Sequence, residues 1–215
     1  MARDDDETVL PSCRQHGIMS FLIPEAIESS RLALRFFRDE DWVALHEYYA
    51  DPACAVYTTL RPYSEEESQS MVAAVLRHWQ RLGYGPYAVE EKTTGAVLGI
   101  VGLWYPRSWP EAEIKWGLAR RHWGKGYAAE AARAVQAMTK QYLPDLRPIS
   151  MIHAGNAGSI RLAQAVGAVF EKAMDFRGDL YHVYRHPGQG SAQGHGSEAK
   201  RQHQKSGAAE RPSDS

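Results

Sequence analysis

The segment from Leu118 to Ala128 restricts the fold more than any other part of this sequence. It reads LARRHWGKGYA, with strand-like residues before it and an alanine-rich stretch of helical character after it. Glycines at positions 124 and 126 remove side chains, so consecutive backbone N–H groups can point into one concavity. A strand that passes through such a turn into a helix predicts an anion site, because the unpaired amides and the helix dipole both favour negative charge there.

A diphosphate is the ligand that this turn favours, since Arg120, Arg121 and Lys125 add positive charge beside it. The turn is not a P-loop, because no Gly-Lys-Ser/Thr sequence ends it. It also lacks the third glycine of a dinucleotide-binding fingerprint. The alternative interpretation is a tight turn in which the two glycines only adopt unusual dihedral angles.

Hydrophobic periodicity predicts an α+β (mixed α/β) fold, in which a central mixed β-sheet is flanked by helices. The predicted order of elements is βααβββαβαββ, which excludes a purely doubly wound sheet. Strands are predicted at 31–36, 87–90, 96–105, 111–118, 149–153, 169–174 and 180–184. Helices are predicted between Asp39 and Asp51, between Ser64 and Gly83, from Ala128 to Tyr142 and from Ala157 to Val166.

Residues 25–187 are predicted to form one domain, because a chain of 215 residues with 44% hydrophobic residues can bury one core. Residues 188–215 are predicted to be disordered, since they carry almost no large apolar side chain. Residues 1–24 are predicted to be a poorly ordered tail, although the stretch from Ile18 to Ile23 could dock on the domain. Acidic residues near the start and Pro24 after a short apolar run predict neither a signal peptide nor a membrane span.

Charge and cysteine content restrict the partners. The formal net charge is -1, from 25 basic and 26 acidic residues, so neither nucleic acid nor an anionic membrane is an expected partner. Cys13 and Cys54 have neither metal-ligand spacing nor the density of a disulfide framework. The sequence therefore favours a cytoplasmic protein, and no metal is expected as a cofactor.

Four motifs in order resemble the GCN5-related N-acetyltransferase (GNAT) superfamily over residues 28–185, and most closely the branch that acetylates the N-termini of ribosomal proteins. The motifs are SRLALR from Ser30, EAEIKWGL from Glu111, WGKGYAAEA from Trp123 and NAGSI from Asn156. The resemblance implies acetyl-CoA as cosubstrate, with the pantetheine arm on the central strand and the pyrophosphate in the glycine turn. The predicted coenzyme site comprises Leu118, Arg121, Trp123, Gly124, Lys125, Gly126, Tyr127, Ala128 and Asn156.

Acetyl transfer to an amine needs a base for the amine and a proton for the leaving thiolate. Glu113 is the candidate base, because it lies five residues before Leu118 on the central strand. The alternative is that Glu113 is a solvated residue on an exposed sheet face. Asp175 is a second acidic candidate, at the end of a hairpin strand.

The proton donor differs from the usual pattern of the superfamily. The tyrosine that many members of the superfamily carry after the asparagine is missing, since the region reads Leu162-Ala163-Gln164. The resemblance suggests Ser159 as the proton donor instead. The alternative is that Ser159 and Asn156 only complete local hydrogen bonds at the start of a helix.

We therefore predict an enzyme that transfers an acetyl group from acetyl-CoA to a primary amine, on a protein N-terminus or a small molecule, with general-base assistance. The alternative is a coenzyme-binding regulatory module with weak or no turnover, in keeping with the missing tyrosine. The sequence leaves a homodimer open, because it does not determine the oligomeric state.

Overall fold

The computed structural model describes residues 21–188, which form a mixed sheet of eight strands with helices on both faces. The strands lie in the spatial order β1-β2-β3-β4-β5-β6-β8-β7. They are β1 (Ala26–Glu28), β2 (Leu32–Arg35), β3 (Pro86–Glu91), β4 (Val97–Trp104), β5 (Glu113–Leu118), β6 (Ile149–His153), β7 (Val169–Phe176) and β8 (Asp179–Arg185). The helices are α1 (Trp42–Ala50), α2 (Pro52–Ala55), α3 (Glu65–Leu82), α4 (Tyr127–Tyr142) and α5 (Ala157–Ala165), with single 3-10 turns at Asp39–Asp41 and Arg120–His122.

The predicted fold class is confirmed, and the structure adds two short elements to the predicted order. Strand β1 has three residues and helix α2 has four, too few for a periodic pattern. The Asp51-Pro52 pair, which predicted a helix end, both ends α1 and begins α2, because the Asp51 side chain accepts a hydrogen bond from the amide of Ala53.

Helix α3 begins and ends where its sequence predicts. Ser64 and Glu67 form the predicted capping box, in which each side chain accepts a hydrogen bond from the other residue's backbone amide. Gly83 ends the helix in the left-handed conformation, with φ of 71°. This helix buries Val75 and Trp79 against the sheet.

The core extends to the first described residues, ahead of the predicted domain start at residue 25. Phe21 packs on Phe36 and Trp79, with ring centroids 5.4 and 5.1 Å away. Ile23 is only 3% exposed, and the backbone amide of Leu22 donates to the carbonyl of Gly83 at 2.7 Å. The segment from Phe21 to Ile23 is therefore part of the packed body.

Strands β5 and β6 pair in parallel at one position only, Glu113 with Ile149. The Ser150 hydroxyl donates to the carbonyl of Ile114 at 2.6 Å just beyond this pair. From there the strands separate toward their carboxyl ends, although β5 stays paired with β4 and β6 with β8. A gap in the sheet therefore opens beside the end of β5, where the glycine turn follows.

Among the helices within residues 21–188, none combines the length and the hydropathy that a bilayer crossing requires.

Candidate functional site

The glycine turn connects the end of β5 to α4 and leaves the first amides of the helix without a side-chain cap. Gly124 and Gly126 have φ of 74° and 80°, in the left-handed region that favours glycine. Gly126 is the N-cap of α4 and has no side chain to cap it, and the first bond of the helix runs from the amide of Glu130 to the carbonyl of Gly126 at 3.1 Å. The first-turn N–H groups are thus available to an anion.

Glu130 fixes this turn to the connection between β1 and β2. Its carboxylate accepts from the Ser29 hydroxyl at 2.8 Å, and from the backbone and Nε of Arg31 at 2.7 Å each. The Arg31 guanidinium also donates to the carbonyl of Lys125 at 3.1 Å. Arg31 and Glu130 were not among the predicted site residues, although both lie within the motifs that carried the resemblance. An open groove of about 530 Å³ borders the turn along these side chains.

The predicted coenzyme residues around the turn offer mainly backbone groups. The carbonyl of Leu118 accepts from the indole N–H of Trp123 at 2.7 Å. Arg121 forms an ion pair with Glu47 of α1, and the Tyr127 hydroxyl donates to Glu91. The remaining members are the exposed Lys125 and Ala128 in the first turn of α4.

Asn156 and Ser159 lie on the other side of the gap, at the start of α5. The Asn156 side chain accepts from the amide of Ser159 at 3.0 Å, so it does cap the helix. The Ser159 hydroxyl oxygen accepts from the indole N–H of Trp116 at 3.1 Å. Because the oxygen acts as acceptor there, the hydroxyl proton is left to point elsewhere.

Glu113 is buried where β5 and β6 part, and only 7% of it is exposed. It is therefore not a solvated residue on an exposed face. Burial raises the pKa of Glu113 to about 7, against the opposing influence of Lys115, the amide of Met151 and the indole of Trp109. Its carboxylate lies 3.4 Å from the amide nitrogen of Met151 on β6.

Glu113 and Ser159 approach the gap from opposite faces of the sheet. Alternation places Glu113 and Gly117 on one face of β5, and the Tyr48 ring of α1 lies against Gly117 on that face. Trp116 is on the other face and contacts Ser159. A ligand in the gap would thus have the carboxyl on one side and the hydroxyl on the other.

Asp175 is not brought to this site. It lies exposed on β7 at the edge of the sheet, where it pairs with Leu180 of β8. Alternation along the predicted strand 111–118 would put Glu111 on the same face as Glu113, but Glu111 precedes β5 and forms an ion pair with Arg185 at 2.6 Å. Among the three candidate catalytic residues, Glu113 and Ser159 border the gap.

Four side chains outside the predicted catalytic and coenzyme residues surround Glu113, and we call them the Glu113 cluster: Trp104, Trp109, Lys115 and Tyr181. The Lys115 ammonium lies 5.1 Å from the ring centre of Trp104. The Trp109 indole N–H is buried and has no hydrogen-bond partner within residues 21–188. The sequence could have indicated Lys115 as a neighbour of Glu113, because strand alternation puts residues two positions apart on the same face. Within the same residues, no three His, Cys, Asp or Glu side chains are placed to share a metal ion.

Comparison with known proteins gives a family match over most of the described chain. Residues 31–169 match the model described as "Acetyltransferase (GNAT) domain". A Bacillus subtilis (strain 168) protein, "Uncharacterized protein YkkB", is 30% identical over 151 residues, which are 68% of this chain and 86% of that protein. "Uncharacterized N-acetyltransferase p20" of Bacillus licheniformis is 29% identical over 111 residues, 51% of this chain and 62% of that protein.

Solved structures share the fold. An acetyltransferase from Agrobacterium tumefaciens str. C58 has a TM-score of 0.68 and 27% identity, and the match covers 80% of this chain and 99% of that one. The ribosomal L7/L12 alpha-N-protein acetyltransferase RimL, in complex with coenzyme A, has a TM-score of 0.59 and 19% identity, with 76% and 96% covered. At that identity the second likeness concerns the fold alone.

Proposed function

The chain belongs to the GNAT family of acetyl-CoA-dependent acyltransferases, and on this premise we propose that it transfers an acetyl group directly to a primary amine, with Glu113 as the general base. The acceptor is the amine of a small molecule or of a protein N-terminus. Acetyl-CoA is bound by the glycine turn and by the gap between β5 and β6.

The observation that carries this proposal is the position of Glu113. A buried carboxyl group lies at the closed end of the gap, and the uncapped glycine turn lies at the far end of the same strand. Five residues of strand separate Glu113 from Leu118, which is about 17 Å at the usual rise per residue. An extended ligand with phosphates at the turn would place its reacting end near Glu113.

The residues fit the coenzyme that the family implies. Uncapped amides at the start of α4 suit a diphosphate. A side-chain atom built on Gly124 would meet nothing within 4 Å, so the approach to the turn is open there. Gly124, Gly126 and the amides of Tyr127 and Ala128 would hold the pyrophosphate, and Asn156 would contact the coenzyme across the gap.

The pKa of Glu113 suits proton removal from an amine near neutral pH. A carboxyl with a pKa of about 7 is partly ionised there and is more basic than an ordinary glutamate. Glu113 would accept a proton from the acceptor ammonium, the amine nitrogen would attack the thioester carbon, and the C–S bond would break. As the C–S bond breaks, the Ser159 hydroxyl, whose oxygen accepts from Trp116, would give its proton to the thiolate and receive in return the second proton that the nitrogen loses.

The experiment is a thiol-release assay with purified protein, acetyl-CoA and a panel of amines that includes peptides, spermidine and free amino acids. Acetyl transfer predicts thiol release that depends on the amine, together with an acetylated product in the mass spectrum. A reaction without amine measures hydrolysis. If calorimetry shows coenzyme binding but no amine increases thiol release, the chain is a coenzyme-binding module and the proposed reaction is wrong.

A further inference from the structure

We propose that the amine acceptor carries a carboxylate next to its amine, as a free α-amino acid does, and that Lys115 binds this carboxylate while Glu113 receives the amine. This proposal rests on the proposed function, because it names the acceptor class of the same site.

The first support is the environment of the Lys115 ammonium, which lies over the ring of Trp104. Lys115 is partly buried, and within residues 21–188 its ammonium makes no hydrogen bond or ion pair. Its cross-strand partner on β4 is Gly102, which has no side chain. Burial lowers the pKa of Lys115, against the attraction of Glu113. Glu113 offsets the desolvation of this cation only in part and without an ion-pair contact, so an incoming carboxylate would lower that cost further.

The second support is the buried indole N–H of Trp109, whose approach to the Glu113 carboxyl falls short of a full hydrogen bond within the described residues. It lies near enough to Glu113 to lower the pKa of that carboxyl. The Glu113 cluster thus brings two donors, the ammonium of Lys115 and the indole N–H, to one carboxyl group that satisfies neither of them fully. A complementary ligand has anionic oxygens as well as an amine.

The spacing fits one small ligand. Glu113 and Lys115 are neighbours on one face of β5, with Cα atoms about 7 Å apart in an extended strand. The amine and carboxylate of an α-amino acid share one carbon, so a single molecule could contact both side chains. The rings of Trp109 and Tyr181 favour an apolar or aromatic side chain on that molecule.

The same charges disfavour the other acceptor classes. A polyamine would bring a second positive charge toward Lys115 and toward Arg177, whose guanidinium lies 5.0 Å from the Trp109 ring centre. A peptide N-terminus has an amide where the amino acid has its carboxylate, so it would bring no negative charge to the Lys115 ammonium. A free amino acid offers an amine to Glu113 and a carboxylate to Lys115 at the same time.

The test compares matched pairs that differ only in the carboxylate: L-phenylalanine with L-phenylalaninamide, and L-methionine with L-methioninamide. We expect kcat/KM for the acid to exceed that for the amide by at least tenfold, which corresponds to about 1.4 kcal/mol. The amide has the less basic amine, so a larger fraction of it is unprotonated at neutral pH. Amine basicity therefore opposes the expected preference and cannot produce it.

Variants of Lys115 test whether this residue causes the preference for the acid over the amide. Lys115→Met should reduce the acid-to-amide ratio to about one, mainly through the KM of the acid, and Lys115→Arg should keep part of it. Lys172→Met, a change to an exposed lysine on β7, should leave the ratio unchanged.

Amides, short peptides or spermidine that react as well as the acids in the wild-type protein would overturn the carboxylate proposal while acetyl transfer stands. Thiol release with none of these amines would count against the proposed function itself. Both outcomes come from the wild-type protein and do not depend on how a variant folds.

Discussion

Glu113 and Lys115 lie two residues apart on one face of β5, and burial shifts their pKa values in opposite directions. The pKa of the carboxyl rises and that of the ammonium falls, because burial disfavours the charged form of each group. Both side chains are therefore closer to proton exchange at neutral pH than an exposed glutamate or lysine would be. This is the property that a site for deprotonating an amine needs.

The residue-scale prediction is the loss of base catalysis in Glu113→Gln. Turnover at pH 7 should fall by about 10² to 10⁴, because the variant keeps the shape of the side chain and cannot accept a proton. The wild-type rate should fall as the pH drops below the Glu113 pKa of about 7, since the carboxyl is then protonated. The variant has no such group, so its rate should rise with pH across the whole range as more amine becomes unprotonated.

Steady-state rates from pH 5.5 to 9 at saturating acetyl-CoA would check this prediction. Calorimetry of coenzyme binding is the control, because Glu113→Gln should leave that affinity unchanged. Parallel pH profiles for the two proteins would show that another group removes the proton.

The sequence located Glu113 but could not predict its burial. Alternation along β5 places the side chain on a face and does not say what covers that face. The residues that contact the buried Glu113 carboxyl include Trp109, in the loop before β5, and Met151 on β6. The same alternation predicted Glu111 beside Glu113, but β5 begins only at Glu113, and Glu111 turns away to Arg185.

At the scale of elements, the glycine turn can be tested by adding a charged side chain to it. In Gly126→Glu, bulk and negative charge should oppose the pyrophosphate, and the affinity for coenzyme A should fall at least tenfold, about 1.4 kcal/mol. An added Cβ would lie 3.5 Å from the Arg31 guanidinium, an ordinary contact. The loss should therefore come from the ligand site rather than from a clash within the chain.

Gly95→Glu is the matched control, because Gly95 has a similar φ of 70° and lies in the turn between β3 and β4. Both substitutions place the same charged residue in left-handed backbone, so both carry the same conformational strain. Calorimetry should show weaker coenzyme binding only for Gly126→Glu. Equal affinities in the two folded variants would place the pyrophosphate elsewhere.

Elements with a local signal could be predicted from the sequence, and those that depend on distant partners could not. The Ser64 capping box and Gly83 set the ends of α3 through contacts within a few residues. By contrast, β1 exists because it pairs with β2, and the separation of β5 from β6 depends on how two distant segments pack. The glycine turn could be recognised, but its attachment through Glu130 to the β1–β2 connection spans about a hundred residues of sequence.

At the scale of the whole molecule, the packing of Phe21 and Ile23 predicts where the folded unit begins. A chain of residues 21–188 should unfold with a free energy close to that of the full chain. A chain that begins at residue 25 loses the burial of Ile23 and the ring contacts of Phe21, which should lower the free energy of unfolding by about 2–4 kcal/mol. Urea unfolding followed by tryptophan fluorescence would measure both.

The same pair of shortened chains tests the proposed domain limits. If the chain starting at residue 25 is as stable as the one starting at residue 21, the contacts of Phe21 and Ile23 contribute little. If both shortened chains lose turnover while remaining folded, residues outside 21–188 take part in the reaction.

The gap between β5 and β6 also bears on how cooperatively the molecule unfolds. Within residues 21–188 the buried side chains form two clusters, a large one around Trp79 and a small one around Ile152 and Tyr184, and Trp116 packs against both. Between β5 and β6 the backbone pairs at one position, so the two parts are joined mainly through side chains, such as Ser150 with Ile114 and Arg185 with Glu111. We expect the unit of β6, α5, β7 and β8 to open at a lower free energy than the rest of the chain. Since that unit carries one wall of the gap, amide hydrogen exchange in β6 would follow the breathing of the site itself.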